Sequence, residues 1–295
     1  MNKLMRKLSI SILAVVFAVI AMGATTFAWF TLTNTAKVSQ FKIDVTSAAG
    51  IELSVVNGVW GSTIDGSVIE GLSGVSGARL TAVTTSTGTS GFTTLNSLLE
   101  NGTYDITTPA AAGSHYVEFT IKVRSREISK NIYIDSTATD ITSTGKTWQP
   151  DTSFTIDGTP ITQETDPFNV YASSSARMSF AGANTVIYED TSLGTSGMSF
   201  DWTKGALNYY AAKMNYTNPI AITPVVTPYT VKEVGVAEGT VIATTANALD
   251  DDGWSETTIV VRIWLEGWDA ECYNAIFSDT LQITIGFTTV KPIVE

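Results

Sequence analysis

Five stretches of this chain alternate apolar and polar side chains with a period of two, and that period confines them to extended backbone, because only a strand sends successive side chains to opposite faces. They cover residues 41–45, 51–55, 117–124, 259–266 and 281–287. In the third, Val117, Phe119, Ile121 and Val123 share one face, and Glu118, Thr120, Lys122 and Arg124 the other. In the fourth, Ile259, Val261, Ile263 and Leu265 oppose Val260, Arg262, Trp264 and Glu266. Threonine fills 45 positions, and threonine with valine, isoleucine and aromatics is the composition of half-buried pleated surfaces. Asn57-Gly58 ahead of Val59-Trp60, and Asp157-Gly158 between 154–156 and 159–161, predict hairpins, since both residues of each pair tolerate positive φ. Asn101-Gly102 and Asp252-Gly253 add weaker turns. Helix is expected only over 94–100 and 204–215. The pattern predicts an all-β fold, an antiparallel β-sandwich of jelly-roll type, filling residues 29–295 as one large domain or two small ones. Residues 61–91 and 136–151, rich in Gly, Ser and Thr, are expected to be long surface loops that bury little.

Ahead of this β region a hydrophobic helix is expected. Lys3, Arg6 and Lys7 precede an uncharged stretch over 8–27, and Ala28 follows. This is the order of a signal peptide. A run of 20 such residues also spans a bilayer as a helix, so residues 1–28 are a cleaved leader or a membrane anchor. Either way the positive start stays in the cytoplasm and the remainder is exported. Gly23 to Thr26 loosen the helix just before Thr26 and Ala28, which favours cutting between Ala28 and Trp29. Without the leader, 14 basic residues face 28 acidic ones. Such a surface repels phosphate backbones and excludes nucleic acid as a partner. The single cysteine, Cys272, rules out an intrachain disulfide and a cysteine zinc site.

Chemistry-bearing patterns are few. His115 is the only histidine, so any histidine-dependent mechanism would rest on it, and no nucleophile elbow or phosphate loop stands in a strand-to-helix context. Asp250, Asp251 and Asp252 form the densest acidic cluster and are calcium candidates, although an EF-hand would need a ligand where Ala248 stands. No other cofactor is expected. Trp254, Trp264 and Trp268 are candidates for stacking on sugar rings, with core packing as the alternative use of the same rings.

The run Ala24-Thr25-Thr26-Phe27-Ala28-Trp29-Phe30-Thr31 resembles the signal-peptide end of proteins processed by the SipW-type signal peptidase, among them the TasA and camelysin-like surface and biofilm-matrix proteins of Gram-positive bacteria. Phe27 replaces the more usual tyrosine. The run from Val260 to Cys272, VVRIWLEGWDAEC, resembles the closing strand and loop of poorly characterised surface proteins with the same leader. TasA-like proteins adopt a jelly-roll sandwich and form fibres by lending an N-terminal strand to the next subunit. The resemblance therefore implies a non-catalytic structural subunit of the cell surface or extracellular matrix, with itself or related surface subunits as partners. It also implies the membrane as a partner if the leader stays uncut. Trp29, Phe30 and Leu32 would lead the donated strand, because 29–33 is apolar, strand-forming and free of turn residues. The rival readings are a glycan-binding surface module using exposed tryptophans, and a secreted hydrolase built on two converging carboxylates.

Overall fold

The computed structural model describes residues 40–55, 59–94, 108–135, 137–156, 159–163, 167–189, 205–213, 239–269 and 271–291. The first sheet contains β1 (Gln40–Ser47), β3 (Thr63–Ile64), β7 (Asn131–Ile134), β8 (Asp140–Ser143), β15 (Ala243–Thr244) and β17 (Thr280–Thr288). Its order is β15-β7-β17-β1-β3, with β8 also on β17. The second contains β2 (Glu52–Ser54), β4 (Ala82–Thr84), β5 (Thr93–Thr94), β6 (Val117–Ser125), β13 (Ala176–Ala181), β14 (Thr185–Glu189) and β16 (Ser255–Glu266). Its order is β14-β13-β16-β4-β5, with β6 on β16 and β2 on β6. Two small pairs complete the strands: β9 (Lys146–Trp148) with β12 (Phe168–Val170), and β10 (Phe154–Ile156) with β11 (Thr159–Ile161). Helical segments are short: α1 (Gly66–Glu70), α2 (Ala172–Ser175), α3 (Gly205–Lys213) and a 3-10 turn, η1 (Asn274–Ser278).

The fold is mostly β, as the alternation predicts, but the expectation of antiparallel sheets needs correction. β1 runs parallel to β17 from Gln40↔Thr280 to Ser47↔Phe287. β4 runs parallel to β16 at Ala82↔Leu265 and Val83↔Glu266. Alternation fixes which face a strand buries and carries no information about its direction. Parallel neighbours need only a long connection, and most of the chain lies between β1 and β17. The expected N-terminal helix, the turns at 57–58, 101–102 and 157–158, and residues 95–100 lie outside the described residues. The strands flanking 157–158 do pair as a hairpin, Phe154↔Ile161 to Ile156↔Thr159, and α3 falls within 204–215. Among the described residues no helix is long and apolar enough to cross a membrane.

The apolar sides of the strands make the core. Ile43 and Val45 of β1, Val117, Phe119, Ile121 and Val123 of β6, Ile259, Val261, Ile263 and Leu265 of β16, and Leu281, Ile283, Ile285 and Phe287 of β17 are all buried. Each such side chain contributes ~1.5–3 kcal/mol on burial. Phe180 of the second sheet meets Phe287 of the first edge-on, ring centroids 6.0 Å apart.

Residues 61–91 depart furthest from expectation. They hold β3, α1 and β4, and they bury Ile64, Ile69, Val75, Ala78, Leu80 and Val83. The segment has few apolar side chains but turns these inward, and its glycines bring backbone against backbone. Gly66 N donates to Asp44 Oδ1 on β1 at 3.2 Å, and Gly74 O accepts from Glu118 N on β6 at 3.1 Å. The segment thus fills the space beside β1 and β6. Just beyond it, Phe92 lies over the outer face of the second sheet, in a cluster with Val83, Tyr116, Ile187 and Trp264. Residues 136–151 likewise hold β8 and β9 and bury Ile141.

Candidate functional site

The end of β16 is covered on both faces, so polar side chains there become interior groups. Arg177 on β13 lies opposite both Trp264 on β16 and Glu189 on β14. Arg177, Glu189, Glu266 and Asp269 are all 0–4% exposed. Arg177 Nη2 lies 2.6 Å from Glu189 Oε2 and 2.5 Å from Asp269 Oδ2, while its Nη1 donates to the carbonyls of Ala176 and Ser174 at 3.0 and 3.3 Å. Glu266 accepts from Trp264 Nε1 and from the Trp268 backbone N–H, both at 3.2 Å. Asp269 Oδ1 accepts from Glu271 N at 2.9 Å.

Burial pushes the Asp269 carboxyl up to about 6 against the pull of Arg177, and the neighbouring Glu266 charge pushes the same way. Burial, with Asp269 and Glu266 beside it, also raises Cys272, which holds it as an unreactive thiol. This arrangement can bind and release a proton and can clamp the segment after β16 onto β13 and β14. The carboxylates converge, as the hydrolase reading requires, but their side chains are too enclosed to approach a sugar. The polar side chains Glu266 and Asp269 of the 260–272 run are thereby accounted for as a set of interior contacts.

The three candidate tryptophans separate. Trp264 and Trp268 are 0% and 1% exposed, so the glycan-stacking expectation is corrected for both: neither presents a ring face to a ligand. Sequence alternation placed Trp264 on the outward face correctly, but Phe92 and Ile187 cover that face. Trp254 is partly exposed, and its ring is already stacked. The guanidinium carbons of Arg124 and Arg126 lie 3.9 and 3.6 Å from its centroid, and Arg124 also lies 4.3 Å from the ring of Trp60. Residues 124 and 126 stand two apart in the chain, close enough for both guanidiniums to reach the one indole. Glu52 Oε2 holds Arg124 by its Nε and Nη2 at 2.8 and 2.6 Å. Trp254→Ala is expected to lower stability by about 1–2 kcal/mol through two lost cation–π contacts; an unchanged urea midpoint would count against this stack.

Asp250, Asp251 and Asp252 form a turn instead of a gathered ligand set. Asp250 Oδ1 accepts from the N–H groups of Asp252 and Trp254 at 3.0 and 2.8 Å, and Gly253 supplies the positive φ of 76° that closes the turn. Arg126 Nη1 donates to the carbonyls of Asp252 and Gly253 at 2.7 and 3.2 Å, so a cation sits where calcium would seek oxygens. Among the described residues no group of three or more His, Cys, Asp and Glu side chains is placed to hold a metal ion. His115 serves its own loop, with Nδ1 accepting from Ala111 N at 3.0 Å. Ala28, Trp29, Phe30 and Leu32 lie outside the described residues.

Sequence reasoning missed the Arg177 cluster. Its one local signal was an arginine inside the otherwise uncharged run from Tyr171 to Asn184. No protein-family model, no curated protein and no solved structure matches this chain.

Proposed function

We propose that the chain is an exported, non-catalytic structural subunit of the bacterial cell surface or extracellular matrix, a jelly-roll-like sandwich that assembles by lending its N-terminal strand to another copy. The observation that carries this reading is the position of β1, the strand that follows the leader and the apolar 29–33 segment. β1 pairs with β17 along its whole length, but with β3 only at Val45 and Thr46. Gly66 of α1 lies against Ile43 and Asp44, so among the described residues the first residues of β1, 40–42, lie at a sheet edge, and an edge is where a strand from another chain can add by backbone hydrogen bonds. The charge order of residues 1–28 supports export, and the Trp29-Phe30-Thr31-Leu32-Thr33 run supplies a strand with side chains for pockets.

Deleting residues 29–35 is expected to abolish polymers seen by electron microscopy while leaving the chain exported. Undiminished polymers would overturn strand donation. The intact mass of protein recovered from cells tests the processing step, with a mature chain expected to begin at Trp29. A chain retaining Met1 would make this a membrane-anchored ectodomain.

A further inference from the structure

Strand directions gather several loops at one end of the two sheets. β1 and β17 both run toward this end, finishing at Ser47 and Thr288. β6 finishes here too, and β7 and β16 begin here, since Ser125 pairs with Ser255 and Tyr133 with Thr288. Among the described residues five large apolar side chains are exposed, and four of them, Val59, Ile128, Leu249 and Val290, stand on the loops of this end, 47–71% exposed. Exposed apolar side chains scattered singly are ordinary, whereas four gathered at one end mark a contact surface. The loops are tied to one another. Ser129 N donates to Ala246 O at 2.9 Å, Ser125 Oγ to Gly50 O at 3.1 Å, and Ser47 N to Ser62 O at 2.8 Å. Their backbones are held before anything binds, which lowers the entropy lost on contact.

Charge narrows the choice of occupant. The chain carries 28 acidic and 17 basic residues, so copies repel one another over most of their surface. At this end both signs are exposed on neighbouring loops, with Asp250, Asp251 and Asp252 on one, Arg126 on the next and Lys291 beyond β17. A surface carrying both signs can face a turned copy of itself, each acidic turn meeting the other's bases. The same acidic turn opposes an anionic lipid surface.

On the structural-subunit reading, on which this inference rests, the lent strand and the edge that receives it both lie at the start of β1. The chain enters β1 at Gln40, at the opposite end from these loops. Two copies that exchange strands there satisfy each other, and a two-fold exchange closes as a pair. A polymer then needs a second contact elsewhere on each copy. We propose that the loop end carrying Val59, Ile128, Leu249 and Val290 is that contact, where two copies meet end to end about a two-fold axis and join exchanged pairs into a filament.

Four forms of the chain, recovered from cells in mild detergent, separate the two contacts by sedimentation velocity and electron microscopy. They are wild type, the deletion of 29–35, the triple variant Ile128→Ser/Leu249→Ser/Val290→Ser, and the deletion combined with the triple variant. The three substituted side chains are exposed, so the urea midpoint of the triple variant is expected to match wild type. Wild type is expected to polymerise, the deletion and the triple variant each to stop at pairs, and the combination to stay single. In the deletion form the three substitutions are expected to weaken pairing on the order of a hundredfold or more. Undiminished polymers from the triple variant, or a deletion form that stays single, would overturn the loop contact and leave strand lending standing. Polymers that survive the deletion would overturn strand lending, and with it the closed pairs on which the loop contact rests. A wild type that goes no further than pairs overturns the filament as well. Binding of the deletion form to phosphatidylglycerol vesicles, lost in the combined form and unaccompanied by pairing, would make these loops a lipid-contacting surface and overturn the end-to-end contact.

Discussion

Replacing Arg177 with methionine is expected to destabilise the domain by about 3–5 kcal/mol at pH 8, because it leaves buried carboxylates without the cation that compensates them. Whole domains are held by only ~5–15 kcal/mol. Methionine fills much of the space of the arginine stem, so the loss reports the charge and the fork of hydrogen bonds more than a cavity. Four contacts go at once: the ion pair to Glu189, the charged hydrogen bond to Asp269, and the hydrogen bonds to the carbonyls of Ser174 and Ala176. The defect should shrink at pH 5, where Asp269 can neutralise itself by taking a proton, and urea midpoints at the two pH values measure this directly. Combining Arg177→Met with Asp269→Asn and Glu189→Gln should recover part of the loss, since neutralising the two carboxylates that Arg177 pairs with costs less than leaving them buried as uncompensated charges. An Arg177→Met midpoint within about 1 kcal/mol of wild type at pH 8 would mean that water or rearrangement supplies what the arginine does.

What the amino-acid sequence made legible was the part of the fold set by neighbours. In β6, β16 and β17 each apolar member of the alternation is buried, because a strand's two faces are decided within a few residues. The turn at Asp250 is likewise local, an aspartate accepting from backbone two and four residues on. Strand direction was not legible, and so the parallel β1–β17 pairing was missed. Neither was the covering of Trp264, whose partners Phe92 and Ile187 come from distant parts of the chain. The same holds for the Arg177–Asp269 contact. The 260–272 motif was visible as a pattern but ambiguous in meaning. Glu266 bonded to Trp264 and Trp268, and Asp269 bonded to Glu271, are short-range contacts that an exposed turn would show equally well. Only the covering of that end of β16 makes them interior.

Gly74→Ala is expected to cost about 2–4 kcal/mol, more than any other single added methyl in the 61–91 segment, because the clash it makes is with backbone that cannot step aside. A Cβ at Gly74 would stand 2.0 Å from the carbonyl oxygen of Glu118. That oxygen belongs to β6 of the second sheet, held in place where Glu118 pairs with Arg262 across β6 and β16. Movement must therefore come from the 72–80 side, and it would break the bond from Glu118 N to Gly74 O and lift Val75, Ala78 and Leu80, all 0–3% exposed, off the core. Gly77, three residues on, separates this cause from backbone strain. Its φ is 72° and nothing lies within 4 Å of an added Cβ, so Gly77→Ala should cost only the ~1–2 kcal/mol of a left-handed alanine. If 61–91 were a loose surface loop, both substitutions would be mild and nearly equal in a urea titration. A clear excess for Gly74 is what a segment wedged against β6 requires, and it would make these glycines the reason that so few apolar side chains suffice to close that side of the sandwich.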